Sequence, residues 1–187
     1  MQKHRCGWCE GDALYEAYHD NEWGVPLKDD DTLFEFLVLE TFQAGLSWIT
    51  ILRKRQNFRA AFDQFDYHKI AEYKQSKIDS LLHDTGIVRN KLKINATVSN
   101  AKAFIQIQKQ FGSFSKYIWQ FVNNKPIKNA FKNYKDAPAK TTLSDALSKD
   151  LKKRGFKFVG STVIYATMQA IGMVNDHETN CFRYHEV

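Results

Sequence analysis

Along most of the chain, apolar positions recur at helical spacing, and the breaks fall on glycines and capping residues. The segment 27–40 (LKDDDTLFEFLVLE) predicts a helix. Asp30 or Asp31 can cap it, and the other aspartates suit the positive end of its dipole. Gly45 interrupts the pattern, and Ser47 opens a second helix through about Phe62. Residues 68–84 predict a third helix, ended by Gly86, and a fourth runs from Asn90 to Gln110. A short aromatic helix follows at 113–123, then a loop over 124–140. Helices fit 143–154, closed by Gly155, and 161–173, capped by Ser161 or Thr162. Runs of alternating β-branched residues are nearly absent, so the pattern predicts an all-α fold. No repeat, low-complexity tract or Pro/Gly/Ser linker divides residues 1–187, which read as a single unit.

One stretch follows no period. AYHDNEWGVP (17–26) crowds Tyr18, His19, Asp20, Asn21, Glu22 and Trp23 before a Gly-Val-Pro break. Catalytic loops, metal-binding loops and plain polar turns all have this character. A second irregularity lies in LFEFLVLETF (33–42), where two glutamates interrupt an apolar run. Five helical residues apart, they point about 140° from each other. Glu40 shares the face of Leu33 and Leu37, toward the core or a cleft, and Glu35 is expected on the solvated side. A lone buried carboxylate is costly, so Glu40 needs a partner or a chemical task. Bonding to backbone amides at the helix end is the plainer alternative. The glycine-hinged turn Gln43-Ala-Gly-Leu-Ser-Trp48 follows, with Leu46 at its tip and Trp48 brought near Glu40.

Charge narrows the choice of partner. The 187 residues hold 27 Lys+Arg against 21 Asp+Glu, a net +6, which suits a polyanion. No 18-residue apolar run is present, so no membrane span is expected. The N-terminal MQKHRCGWCEGD lacks the apolar core of a secretory signal, and a soluble, cytoplasmic protein is expected. Three cysteines, Cys6, Cys9 and Cys181, argue against a disulfide framework and for metal binding or free thiols.

Two further patterns carry chemistry. SLLHDTGIVRNKLKINA (80–96) reads as helix, turn and helix, with Thr85-Gly86-Ile87 in the turn and Arg89, Lys91 and Lys93 after it. Such a hairpin can aim free amides of a helix N-terminus at a phosphate while cations add counterion-release affinity. An ordinary helix-helix turn explains it equally well. A second basic segment, LSKDLKKRGFKFVGST (147–162), ends on another helix start and reads as a solvated helix face. Cys6 and His19 near one end, and His177-x3-Cys181 near the other, supply two Cys and two His, a closed tetrahedral zinc set. On a helix His177 and Cys181 share a face. Cys9 is a fifth candidate by its spacing from Cys6, and unrelated thiols and histidines are the alternative.

Taken together, Cys6-Gly-Trp8, Tyr15-x2-Tyr18-His19-Asp-Asn-Glu-Trp-Gly, Leu39-Glu40, Gln43-Ala-Gly-Leu-Ser-Trp48, the Leu147–Gly160 motif and His177-x3-Cys181 resemble the bacterial 3-methyladenine-DNA glycosylase I family. The resemblance runs from about Cys6 to Cys181. It implies a helix-hairpin-helix glycosylase that flips 3-methyladenine out of double-stranded DNA, releases the free base and leaves an abasic site. Carried over by position, Glu40 is the catalytic pocket carboxylate that reads the base edge. Trp8, Tyr15, Tyr18 and Trp48 form an aromatic box around the base. Gly45 and Leu46 form a wedge, and Gly86, Arg89 and Lys91 hold the backbone. Cys6, His19, His177 and Cys181 hold one structural zinc that joins the termini. Asp20 is a candidate partner for His19. A cationic methylated base is a good leaving group, so selectivity is the main demand. Stacking on electron-rich rings favours the cation by roughly 1–2 kcal/mol, and an ionised Glu40 adds to that. No aspartate or lysine nucleophile stands out, which favours a monofunctional hydrolase attacking with water, and a monomer is expected. Cys9 lies outside the ligand set, and Phe42 stands where a polar residue is expected at the pocket rim. The rival expectations are a non-catalytic helix-hairpin-helix module that recognises damaged DNA, and a small-molecule zinc hydrolase. The second needs an open metal position, which two Cys and two His do not leave.

Overall fold

The computed structural model describes residues 3–187. Nine α-helices dominate the described residues: α1 Ala13–Asn21, α2 Asp30–Gln43, α3 Trp48–Ala61, α4 Tyr67–Ala71, α5 Gln75–His83, α6 Lys91–Phe111, α7 Phe114–Trp119, α8 Thr142–Lys153 and α9 Ser161–Ala170. Two short strands, β1 Ile127–Lys128 and β2 Val174–Asn175, pair in parallel with Ile127 opposite Val174.

The all-α expectation holds, with local corrections. The first half of the patternless stretch, residues 17–21, is helical and belongs to α1. Asp12 caps α1 by accepting the Leu14 and Tyr15 amides, each at 3.0 Å. Tyr15, Tyr18, His19 and Glu22 do recur at helical spacing, but they are polar or aromatic, so a purely apolar pattern misses them. α2 is capped by Asp29, whose carboxylate takes the Thr32 amide at 2.9 Å. The helix expected over 68–84 is two, α4 and α5, separated where Lys74 is extended. Gly160, rather than Ser161 or Thr162, stands at the N-cap of α9.

α2 lies at the centre and packs against α3, α6, α7 and α9. Every residue from Leu33 to Phe42 is buried. A helix covered on all sides has no solvated face, so Glu35 is buried too, against expectation. Its carboxylate pairs with Arg55 at 2.6 Å and Arg59 at 2.9 Å. Arg55 also pairs with Glu22 at 2.6 Å, joining α1, α2 and α3. Phe42 is fully buried against Phe58 and Phe62, with ring centroids 4.8 and 5.8 Å away. It is a core residue, not a rim residue.

Candidate active site

The C-terminal half of α2 carries Glu40 and Gln43 to the wall of a cavity of about 300 Å³, at the lower end of the range for small-ligand pockets. Tyr15 and Tyr18 of α1, Trp8 and Trp23 on either side of it, and Trp48 at the start of α3 complete one side. Tyr134, Pro138, Gln169 of α9 and Asp176 face it from the other side. All five residues expected to bind the base therefore meet in one cavity. Trp8 packs on Tyr15 and Trp23 with ring centroids 4.8 and 5.0 Å apart. Tyr18 lies against Trp48 at 5.3 Å.

Glu40 is 3% exposed. Burial alone pushes its carboxyl up to about 8. With no cation or amide bonded to it, the carboxyl in the base-free protein is thus held toward its protonated form near neutral pH. Its Oε2, with the indole nitrogens of Trp8 and Trp48, finds no partner among the described residues. Buried polar groups are normally bonded, so three unpartnered ones around a single cavity mark a place prepared for a polar ligand. Burial also raises Tyr15, to about 12, and Tyr18 well above its ordinary value, so both stay neutral.

The turn after α2 is exposed at Gly45 and Leu46. Gly45 has φ +83°, which glycine adopts without strain. The 80–96 hairpin forms, between α5 and α6; some of its amides are already bonded, while those of Ile87, Val88 and Arg89 have no partner among the described residues. Asp84 accepts the Gly86 amide at 2.7 Å, and Asn90 takes those of Leu92 and Lys93 at 3.0 and 3.1 Å. Arg89 and Lys91 are exposed, whereas Lys93 is buried and is not a surface cation. By contrast, α9, which follows the second basic segment, starts on Gly160 with no side-chain cap. Its first amides lack the satisfaction that Asn90 provides to α6.

Beside the pocket, Cys6, His19, His177 and Cys181 are all buried, and their ligand atoms lie within 4.8 Å of one another. The residues more than 150 positions apart in sequence thus converge, as expected. His177 and Cys181 lie on a turn, closed by Cys181 N to Glu178 O at 2.8 Å, rather than on a helix. The sulfur-to-nitrogen separations are 3.5, 3.6 and 3.7 Å. Tetrahedral zinc with its usual bond lengths would place S and N about 3.5 Å apart. The other ring nitrogens are committed, His19 Nδ1 to Asp20 at 2.9 Å and His177 Nε2 to the Trp23 carbonyl at 3.2 Å. Such partners turn the remaining nitrogens toward a metal. Asp20 is in turn held by Arg5 at 2.8 Å. Hydrogen bonds from Cys6, His177 and His19 hold the Cys181 thiol low, and the same bond raises Cys6. Cys9 stays outside the cluster: its thiol donates to the Cys6 carbonyl at 3.2 Å, and burial raises it to about 12.

Several wall residues were not anticipated. Asp176 is buried and accepts from Asn129 at 2.6 Å, Tyr165 at 2.7 Å and Gln169 at 2.8 Å. A pocket aspartate therefore exists, although no sequence feature singled one out. Gln169, a lone amide in the apolar α9, and Trp23, in the unpatterned stretch, were detectable as anomalies. Tyr134 sits in a loop and offered no signal.

Comparison with known proteins agrees with this geometry. The methyladenine glycosylase family profile matches residues 8–184. DNA-3-methyladenine glycosylase 1 of Escherichia coli (strain K12) is 51% identical over 96% of each chain. A crystal structure of 3-methyladenine DNA glycosylase I superposes with a TM-score of 0.93 at 51% identity, covering 96% of this chain and 98% of that one. The Staphylococcus aureus enzyme, solved to show the structural basis of 3-methyladenine recognition, gives 0.92 at 37% identity over 95% of each chain. With the match extending over nearly all of its length, from the aromatic box to the Cys/His turn, this chain belongs to the methyladenine glycosylase family.

Proposed function

We propose that the protein is a DNA repair glycosylase that hydrolyses the N-glycosidic bond of 3-methyladenine in alkylated double-stranded DNA. The observation that carries this is Glu40, a buried carboxyl raised to about 8 inside an aromatic box, with an unpartnered oxygen. Neutral adenine would meet a neutral acid and rings that gain nothing extra from it. A methylated base carries positive charge, which favours the carboxylate form of Glu40. Ionising Glu40 at pH 7 costs about 1.4 kcal/mol for the one unit separating 7 from 8, and a cation offsets that cost more strongly than a neutral base does. The rings add cation–π attraction. The base must leave the stack before its bond can be reached. Once seated, it departs without needing a proton, and water attacks the sugar, so no strand cleavage is expected.

Arg89, Lys91 and Gly86 on the α5–α6 hairpin would contact the phosphate backbone, and Leu46 with Gly45 would enter the vacated stack. Arg89 and Lys91 are exposed, and the net charge of +6 has the right sign. Cys6, His19, His177 and Cys181 would hold one structural zinc. Two thiolates and two imidazoles supply a closed shell, so the ion would contribute folding energy and no reactivity. What the chain's own residues do there is join both terminal segments to the pocket, since Trp23 lines the cavity and bonds His177. Action as a monomer in the cytoplasm fits this reading. No helix among the described residues is long and apolar enough to cross a membrane. Release of free 3-methyladenine from alkylated duplex DNA tests the activity. Tight binding without release would leave a non-catalytic module instead.

A further inference from the structure

The turn carrying Gly45 and Leu46 is not held by its own helix alone. α2 ends on Ala44 with no basic residue in its last turn. Its last carbonyls are met from another element. Lys93, in the first turn of α6, reaches across, and its Nζ donates to the Phe42 carbonyl at 2.8 Å and to the Ala44 carbonyl at 2.6 Å. This is a costly place for a cation. Lys93 is 6% exposed, and the first turn of a helix is the positive end of its dipole. Desolvation accordingly lowers its ammonium from the ordinary value. The negative end of α2 offsets both costs. Arg89 and Lys91, its hairpin neighbours, point into solvent instead. Around the bonded carbonyls the turn closes tightly: Leu46 N donates to Gln43 O at 2.7 Å, and Gln43 Nε2 to Leu46 O at 3.3 Å.

We propose that Lys93 is a positioning residue for base extrusion: from the helix that follows the hairpin, it fixes the angle at which Leu46 meets the duplex. Lys93 need touch neither base nor phosphate. It sets the distance between two elements that do, so that seating the hairpin on the backbone also seats the turn in the stack. This rests on the assignment of Leu46 as wedge and the hairpin as anchor.

The test is a double-mutant cycle of Lys93→Met, Leu46→Ala and the double variant, with Lys93→Arg as the conservative control. The substrate is a duplex carrying 2-aminopurine beside the lesion site, whose fluorescence reports flipping. Melting temperature and binding to undamaged duplex are read alongside. Misplacement of a reacting group by about 1 Å costs on the order of a hundredfold. Lys93→Met is therefore expected to lose roughly ten- to a hundredfold in flipping and excision, while undamaged duplex is bound as before. The double variant should be no worse than Leu46→Ala, and Lys93→Arg should recover most of the loss. Should Lys93→Met fail to fold, Lys93→Gln, which keeps an uncharged N–H donor group, takes its place in the cycle. Normal flipping in Lys93→Met, or additive losses in the double variant, would overturn the role of Lys93. Normal flipping in Leu46→Ala would instead overturn the wedge assignment on which it rests.

Discussion

Replacing Glu40 by Gln should stabilise the protein while impairing it, with a pH signature that separates the two effects. The carboxyl rises from 4.5 to about 8 because burial disfavours its charged form. Between those pH values the folded chain keeps a proton that the unfolded chain has lost. Stability therefore falls as pH rises through that window, by about 1.4 kcal/mol per unit. At pH 7, about 2.5 units above the unfolded value, the accumulated cost is roughly 3 kcal/mol. Glutamine has nearly the same shape and does not titrate, so Glu40→Gln removes that cost. Urea midpoints should coincide near pH 4.5 and diverge in favour of the variant up to about pH 8, then run parallel. Excision should move the other way. Loss of a charge-assisted bond to a cationic base costs about 1.5–3 kcal/mol, roughly ten- to a hundredfold in kcat/KM. The wild-type kcat/KM should rise with pH and level off above about 8, and the variant should be flat across that range. A stability difference that is constant from pH 4.5 to 8, or a variant that excises like wild type, would refute the argument.

Other changes separate the remaining roles. Glu35→Gln, five residues earlier on α2, should lower stability by about 1–3 kcal/mol, because the buried Arg55 keeps only Glu22 as a charged partner and Arg59 loses its own; chemical denaturation measures it, and a silent result would dismiss the ion-pair network. Cys181→Ser should lose a bound zinc and lower the melting temperature, whereas Cys9→Ser should retain the metal; metal analysis finding no zinc in the parent protein would reject the assignment. Arg89→Ala with Lys91→Ala should weaken binding to normal and damaged duplex alike and reduce the salt slope by about two. A loss confined to damaged DNA would move the backbone anchor elsewhere, with the uncapped N-terminus of α9 as the next place to examine.

What the sequence determined by itself is what local chemistry controls. Helical periodicity, capping aspartates and glycine breaks set the all-α fold, and the family motifs led to the aromatic box, Glu40 and the four Cys/His residues. Tertiary structure decided everything that depends on which surface another element covers. Glu35 reads as solvated from the periodicity of α2, yet α2 is enclosed on every side, so the same glutamate became the partner of two arginines. Lys93 reads as one of three hairpin cations, but packing of α6 onto the end of α2 turned it inward. The helix α1 stayed hidden because its buried face is made of tyrosine and histidine rather than aliphatic residues. Asp176 and Tyr134 reach the pocket only because the strand pair and the Cys/His turn fold the last fifty or so residues back over it. The protonation of Glu40 belongs to the same class: the residue type is written in the chain, but its acidity is set by the absence of any neighbour to share its charge.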